Sequence, residues 1–190
     1  MLNIISTINQ DTVNKLVDYL ENNIDPVLGQ DVSNYAPGRR RIWLPYEAPL
    51  SNARPFEKGL QDDKIWSYLT SVCAQFNWQP ELGLISKGGL ISPHRDTTFA
   101  DFRSIGINLG KVTWCYSRSY PMFSWVPDEQ RIDPPEVTKL EMTGGEVFEF
   151  NCKNVHWTED VDPNRWGINL WTISKKSRLQ FNQFLQSNEV

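Results

Sequence analysis

Beyond Pro80 the sequence changes character, and that change limits the folds open to the chain more than anything else in it. Short apolar and aromatic runs occupy residues 82–86, 90–92, 105–109, 112–116, 122–126, 137–142, 146–150, 154–158 and 166–173. Each is too short for a typical helix, and turn residues such as Lys87-Gly88-Gly89 and Thr143-Gly144-Gly145 separate them. Within 105–109, Ile105, Ile107 and Leu109 alternate with Gly106 and Asn108, the period of a strand with two unlike faces. Short strands at this spacing predict an all-β sandwich or barrel.

Helical spacing is confined to the flanks. Val13, Leu16, Val17, Leu20 and Ile24 predict a packing helix from Asp11 to Asn23, with Asn9 or Asp11 as N-cap. Ile65, Leu69, Val72, Cys73 and Phe76 predict a second from Asp62 to Asn77, ended by Pro80, in which Cys73 is a small core hydrophobe. Leu179, Phe184 and Leu185 predict an amphipathic tail helix that covers a sheet face or edge. Prolines and glycines break any period in residues 25–60, which read as an irregular connection: a substrate-facing lid or a solvated surface segment, with Arg39, Arg40, Arg41 and Arg54 as possible anion contacts. At 190 residues the expectation is one domain, with residues 1–80 helix and loop, 81–175 barrel and 176–190 tail.

A chain of this size folds without a metal or disulfide staple, so any metal serves chemistry. A net charge of −4, with Arg39-Arg40-Arg41 as the one basic run, argues against nucleic acid as the main partner. Cys73, Cys115 and Cys152 form no Cys-x-x-Cys and read as reduced thiols of a cytoplasmic protein. The N-terminus lacks a signal-like basic and apolar region, and no run approaches a membrane span. Nothing in the sequence fixes an oligomeric state.

The chain has only two histidines, and both fall in one pattern: His94-Arg95-Asp96, then His156, then Arg165. On a strand, residues two apart share a face, so His94 and Asp96 at a strand end can turn to one point. His156 shares its face with Asn154 and Thr158. Two imidazoles and a carboxylate that leave coordination positions open suit a non-haem iron(II) centre, although ligand type alone also admits zinc. A lone His-x-Asp is a weak signal; the use of both histidines within a predicted barrel strengthens it. Arg165 leads a strand whose face continues through Gly167 and Asn169, which leaves room above the glycine for a small molecule whose carboxylate a guanidinium can clamp. The plain alternative is a surface ion pair with Asp160 or Asp162. Trp114, Trp125, Trp157, Trp166 and Trp171 read as barrel core.

The succession Ile91-Ser92-Pro93-His94-Arg95-Asp96-Thr97, Arg103 to Gly110, Gly145 to Phe150, Val155-His156-Trp157, Arg165 and Asn169-Leu170-Trp171 resembles the iron(II)/2-oxoglutarate-dependent oxygenases. Within them it is most similar to the aspartyl/asparaginyl β-hydroxylase and proline hydroxylase branch, over roughly residues 80–175. The resemblance implies a mainly β fold with flanking α, a double-stranded β-helix (jelly roll, cupin-like), with His94, Asp96 and His156 as metal ligands. It implies Arg165 on the distal carboxylate of 2-oxoglutarate and Asn108 near that co-substrate, where some relatives carry His. Asp96 counts against a halogenase, which needs that position vacant for halide.

The implied activity is hydroxylation of an unactivated C–H, with O2 and 2-oxoglutarate converted to succinate and CO2, on an amino acid that is free or within a peptide. Arg103 and Arg118 are candidate contacts for a substrate carboxylate. Two rivals stand beside it. A cupin-type isomerase or lyase would use the metal without 2-oxoglutarate and gives no reason for Arg165; a non-catalytic jelly-roll binding module would take up no iron(II). A nucleic-acid demethylase is disfavoured by the acidic balance.

Overall fold

The computed structural model describes residues 2–49, 54–96, 98–118 and 136–188. Strand β1 (Leu2–Thr7) leads into α1 (Gln10–Tyr19), which runs on through a π turn (Leu20–Ile24) and a 3-10 turn (Asp25–Val27). Then come β2 (Gly29–Gln30), β3 (Arg40–Leu44), β4 (Tyr46–Glu47), β5 (Glu57–Lys58) and α2 (Asp63–Ala74). The C-terminal part holds β6 (Leu82–Lys87), β7 (Ala100–Leu109), β8 (Val112–Ser117), β9 (Thr138–Met142), β10 (Glu146–Asn151), β11 (Val155–Glu159), β12 (Trp166–Ile173) and α3 (Lys175–Asn188).

Two antiparallel sheets face each other as a jelly roll. The larger runs β1-β10-β7-β12-β6-β3-β2, and the smaller runs β11-β8-β9. Alternation divides the larger sheet cleanly. Ile85, Ile105, Ile107, Val147, Ile168 and Leu170 point outward and are covered by Val13, Leu16 and Leu20 of the N-terminal helix and Ile65 and Leu69 of α2. Leu84, Phe148, Phe150 and Trp171 point inward and meet Trp114 and Met142 of the smaller sheet. Each such fully buried side chain contributes about 1.5–3 kcal/mol, so the two apolar layers suffice to hold the barrel without a metal. Gly106 is needed where it is: a Cβ there would stand 2.1 Å from the Phe148 ring that fills the barrel.

Capping fixes the helices. Asn9 accepts from Thr12 N at 2.9 Å, and Asp62 accepts from Ile65 N at 3.1 Å while also taking the Tyr19 hydroxyl at 2.7 Å, which ties α1 to α2. On α3, Phe181 packs on Tyr46 and Phe56, and Arg178 pairs with Glu81, whereas the expected packing residue Leu179 is 70% exposed. No helix among the described residues is long and apolar enough to cross a membrane.

Four expectations change. The N-terminal residues form β1, which pairs with β10. Residues 25–60 are not merely irregular: β3 is an interior strand between β6 and β2, with Trp43 inside and Ile42 and Leu44 outside. Its leading arginines look like a solvated basic run because their partner, Asp31, is brought to them only by folding. Residues 90–92 form no regular strand, yet the backbone there is bonded to β11, with Thr158 N on Ile91 O at 3.0 Å and reciprocal bonds between His94 and His156. The expected strand at 122–126, with Trp125, lies outside the described residues.

Candidate metal centre

His94 and His156 form a two-residue bridge, their amides and carbonyls exchanged at 3.1 and 3.0 Å. That pairing places both rings on the inner side, and the short turn to Asp96 returns its carboxylate to them. His94 Nε2 lies 3.6 Å from Asp96 Oδ1, and His156 Nε2 lies 3.6 Å from Asp96 Oδ2. One donor atom from each of the three falls within 4.8 Å of the others.

The tautomers follow from the far side of each ring. His94 Nδ1 sits 2.9 Å from Ser92 O, and His156 Nδ1 sits 3.0 Å from Asn154 O. A carbonyl only accepts, so each Nδ1 carries the proton and each Nε2 turns a lone pair toward Asp96. Three acceptors then face one point at separations too long for hydrogen bonds, an arrangement a cation resolves. Burial pushes the Asp96 carboxyl up, but imidazolium forms of His156 and His94, which would donate to it, outweigh that and hold it well below the usual carboxylate range. Burial lowers the His94 pKa. Trp171 Nε1 donates to Asp96 Oδ2 at 3.2 Å, the Tyr35 ring stacks on His94 at 4.3 Å, and Trp114 stacks on His156. The donor set fits a divalent ion with one open side.

That open side faces a cavity of about 350 Å³ lined by the three residues together with Tyr35, Arg39, Arg41, Trp43, Arg95, Trp114, Asn169 and Trp171. Arg165 lies on the same inner face of β12, beyond Asn169, and does not itself line that cavity. Its side chain folds back over Gly167, where a Cβ would stand 2.8 Å from Nη1. It forms no ion pair with a described residue; its one side-chain hydrogen bond runs from Nε to Asn108 Oδ1 at 2.7 Å. The alternative, a surface ion pair with Asp160 or Asp162, is not formed. Burial, then the nearby charge of Arg39, pulls the guanidinium pKa down to about 10.

Asn108 is a bracket behind this arginine. While its Oδ1 accepts from Arg165, its Nδ2 donates to Gly110 O at 2.7 Å and Glu146 Oε2 at 2.9 Å. Arg103 and Arg118 do not reach the cavity. Arg103 lies on the outer face of β7, paired with Glu149 at 3.0 Å and set over Trp78, while Arg118 is exposed at the end of β8. The three cysteines are buried and free, their thiols pushed up to about 12 by burial, and none takes part in the centre. Trp166 and Trp157 face away from the barrel interior, leaving Trp114 and Trp171 as its expected aromatic wall.

Arg39 and Arg41, expected as possible anion contacts, do line the cavity, whereas Tyr35, Trp43 and the Asp31 carboxylate that binds both arginines were missed by sequence reasoning. The available signal was the alternation of Arg41 with Trp43.

Neither a family model nor a curated protein matches the chain. Solved structures do match in fold. A prolyl-4-hydroxylase of Pseudomonas putida is 11% identical, with 92% of each chain covered and a TM-score of 0.57. A prolyl hydroxylase of Trichoplax adhaerens, in complex with a hypoxia-inducible-factor oxygen degradation domain peptide, is 14% identical, with 94% of this chain and 86% of that one covered and a TM-score of 0.61. HygX of Streptomyces hygroscopicus, with nickel, 2-oxoglutarate and hygromycin B bound, is 12% identical, with 90% and 82% covered and a TM-score of 0.54.

Proposed function

We propose that the protein is an iron(II)- and 2-oxoglutarate-dependent dioxygenase that hydroxylates an unactivated C–H of an amino acid, free or within a peptide. The observation that carries the reading is the convergence of three lone-pair donors from His94, Asp96 and His156 on one point, with both Nδ1 atoms held by backbone carbonyls. Structures of the same fold include prolyl hydroxylases and one holding nickel with 2-oxoglutarate, which supports the choice of co-substrate. The aspartyl/asparaginyl β-hydroxylase and proline hydroxylase branch is our reading from the motifs at residues 91–97 and 155–157.

His94, Asp96 and His156 would hold the iron and leave its remaining positions to reactants. When bound, iron and 2-oxoglutarate supply oxidative decarboxylation, giving succinate and CO2 and delivering one oxygen atom of O2 to the substrate. Arg165 holds the distal carboxylate of 2-oxoglutarate; desolvated and without an acidic partner among the described residues, it gains from an anion that water would otherwise screen. Gly167 gives that arginine its place, and Asn108 fixes its Nε edge so that both Nη atoms remain for the ligand. Tyr35 and Trp114 pack against the two imidazoles and shield the centre from bulk water.

The test is anaerobic reconstitution with iron(II), then addition of O2 and 2-oxoglutarate with succinate measured. Succinate from wild type and none from Asp96→Ala is expected. A metal isomerase or lyase would bind iron without making succinate, and a binding module would take up no iron.

A further inference from the structure

Facing the metal is a second half of the cavity built for the opposite charge. Arg39, Arg41 and Trp43 occupy alternate positions entering and along β3, and all three line the cavity. Asp31, fully buried, accepts from Arg39 Nε at 2.6 Å and lies 3.1 Å from Arg41 Nε, so one carboxylate serves two guanidiniums. The Arg41 side chain is only 7% exposed, yet its terminal nitrogens make no hydrogen bond with a described residue; the next acidic oxygen, on the half-exposed Glu47, is 3.9 Å away. A buried guanidinium with an unfilled fork is costly, and a planar carboxylate is the group that fits it.

Trp43, 6% exposed, packs below Arg41 and serves the cavity as a wall, its Nε1 shielded from solvent. Register keeps Arg41 apart from Arg165: Arg41 pairs with Ser86, and Ser86 with Gly167, so two strand spacings, about 10 Å, lie between the two sites. The cavity volume is on the order of ten water volumes, room for one compact molecule beside the three candidate metal ligands.

We infer that the substrate is a small molecule with its own free carboxylate, held by Arg41, rather than a residue inside a peptide chain. The inference rests on the oxygenase reading of the metal half and names the substrate class for it.

The experiment compares free amino acids with their carboxamides, in the iron-loaded wild type, as stimulants of succinate formation. Acids should exceed amides by roughly 10- to 100-fold, the worth of a charge-assisted hydrogen bond. Arg41→Gln should erase the preference while 2-oxoglutarate affinity stays within about twofold, and Arg41→Lys, which keeps a charge beside Asp31, should restore part of it. Amides equal to acids in wild type, or loss of 2-oxoglutarate binding in Arg41→Gln, would overturn the inference. Tryptophan fluorescence titration with the same acid and amide pairs needs no turnover. If no succinate forms under any condition, the oxygenase reading fails, and the titration alone decides the carboxylate site: acid-selective quenching upholds it, and equal or absent quenching refutes it.

Discussion

The two halves of the cavity come from different parts of the chain and answer different electrostatic needs. His94, Asp96 and His156 present lone pairs with nothing positive among them, and barrel strands hold them through backbone bonds. Asp31, Arg39 and Arg41 come from the N-terminal segment, where one buried carboxylate serves two guanidiniums and Glu47 stands 3.9 Å from Arg41. The first half fits a cation, and the second has guanidinium nitrogens without a hydrogen bond to a described residue. On the proposed reading, the barrel supplies the site for chemistry and strand β3 the part that chooses a substrate.

This contrast can be broken from either side. The largest effect belongs to the metal half: His156→Ala or Asp96→Ala should bind no stoichiometric iron(II) by metal analysis of anaerobically loaded protein, yet keep the fold, because the apolar layers do not depend on the ion. Next is Asp31→Asn, which strands two buried guanidiniums and should cost about 3–5 kcal/mol in chemical denaturation while leaving iron stoichiometry intact. The same carboxyl gives a pH signature. Burial raises its pKa, but Arg39, Ser33 and Arg41 more than offset that and hold it below the ordinary value. Its contribution is therefore complete at neutral pH and is lost only as pH falls below the usual carboxylate range toward the depressed folded value; Asp31→Asn should flatten the acid limb of the stability profile.

Smaller effects test the boundary between the halves. Arg165→Ala should weaken 2-oxoglutarate binding by about 30-fold or more, the cost of removing one partner of a buried charge pair, without changing iron content. Gly167→Ala puts a methyl 2.8 Å from the Arg165 guanidinium and should weaken 2-oxoglutarate roughly tenfold by displacing that flexible end, with little loss of stability. Were Gly167→Ala instead to disturb iron uptake, the two sites would not be separable as described.

The metal half was legible in the sequence because its rules are local. Strand alternation puts His156 inside and Trp157 outside, as found, and a chain with two histidines leaves few ways to build such a site. Gly106 and Asn108 on one face of β7 were equally readable, and the same alternation already places Arg103 on the other face, away from any substrate in the barrel. The arginine half was legible only as an open choice. Arg39-Arg40-Arg41 reads as anion contacts or as a solvated run until folding brings β3 beside β6 and closes Asp31 over Arg39 and Arg41. β1 was hidden for a similar reason, since a six-residue stretch with only Leu2, Ile4 and Ile5 apolar gains its identity as a strand only from pairing with β10. Long-range pairing, with no local signature, made both.

The most direct test of the account is the visible absorption of wild-type protein given iron(II) and 2-oxoglutarate without oxygen. A charge-transfer band of the iron-bound keto acid should develop with stoichiometric iron, vanish in His156→Ala, and need far more 2-oxoglutarate in Arg165→Ala. Wild-type protein that binds both components and shows no band, or an Arg165→Ala variant with unchanged affinity, would contradict it.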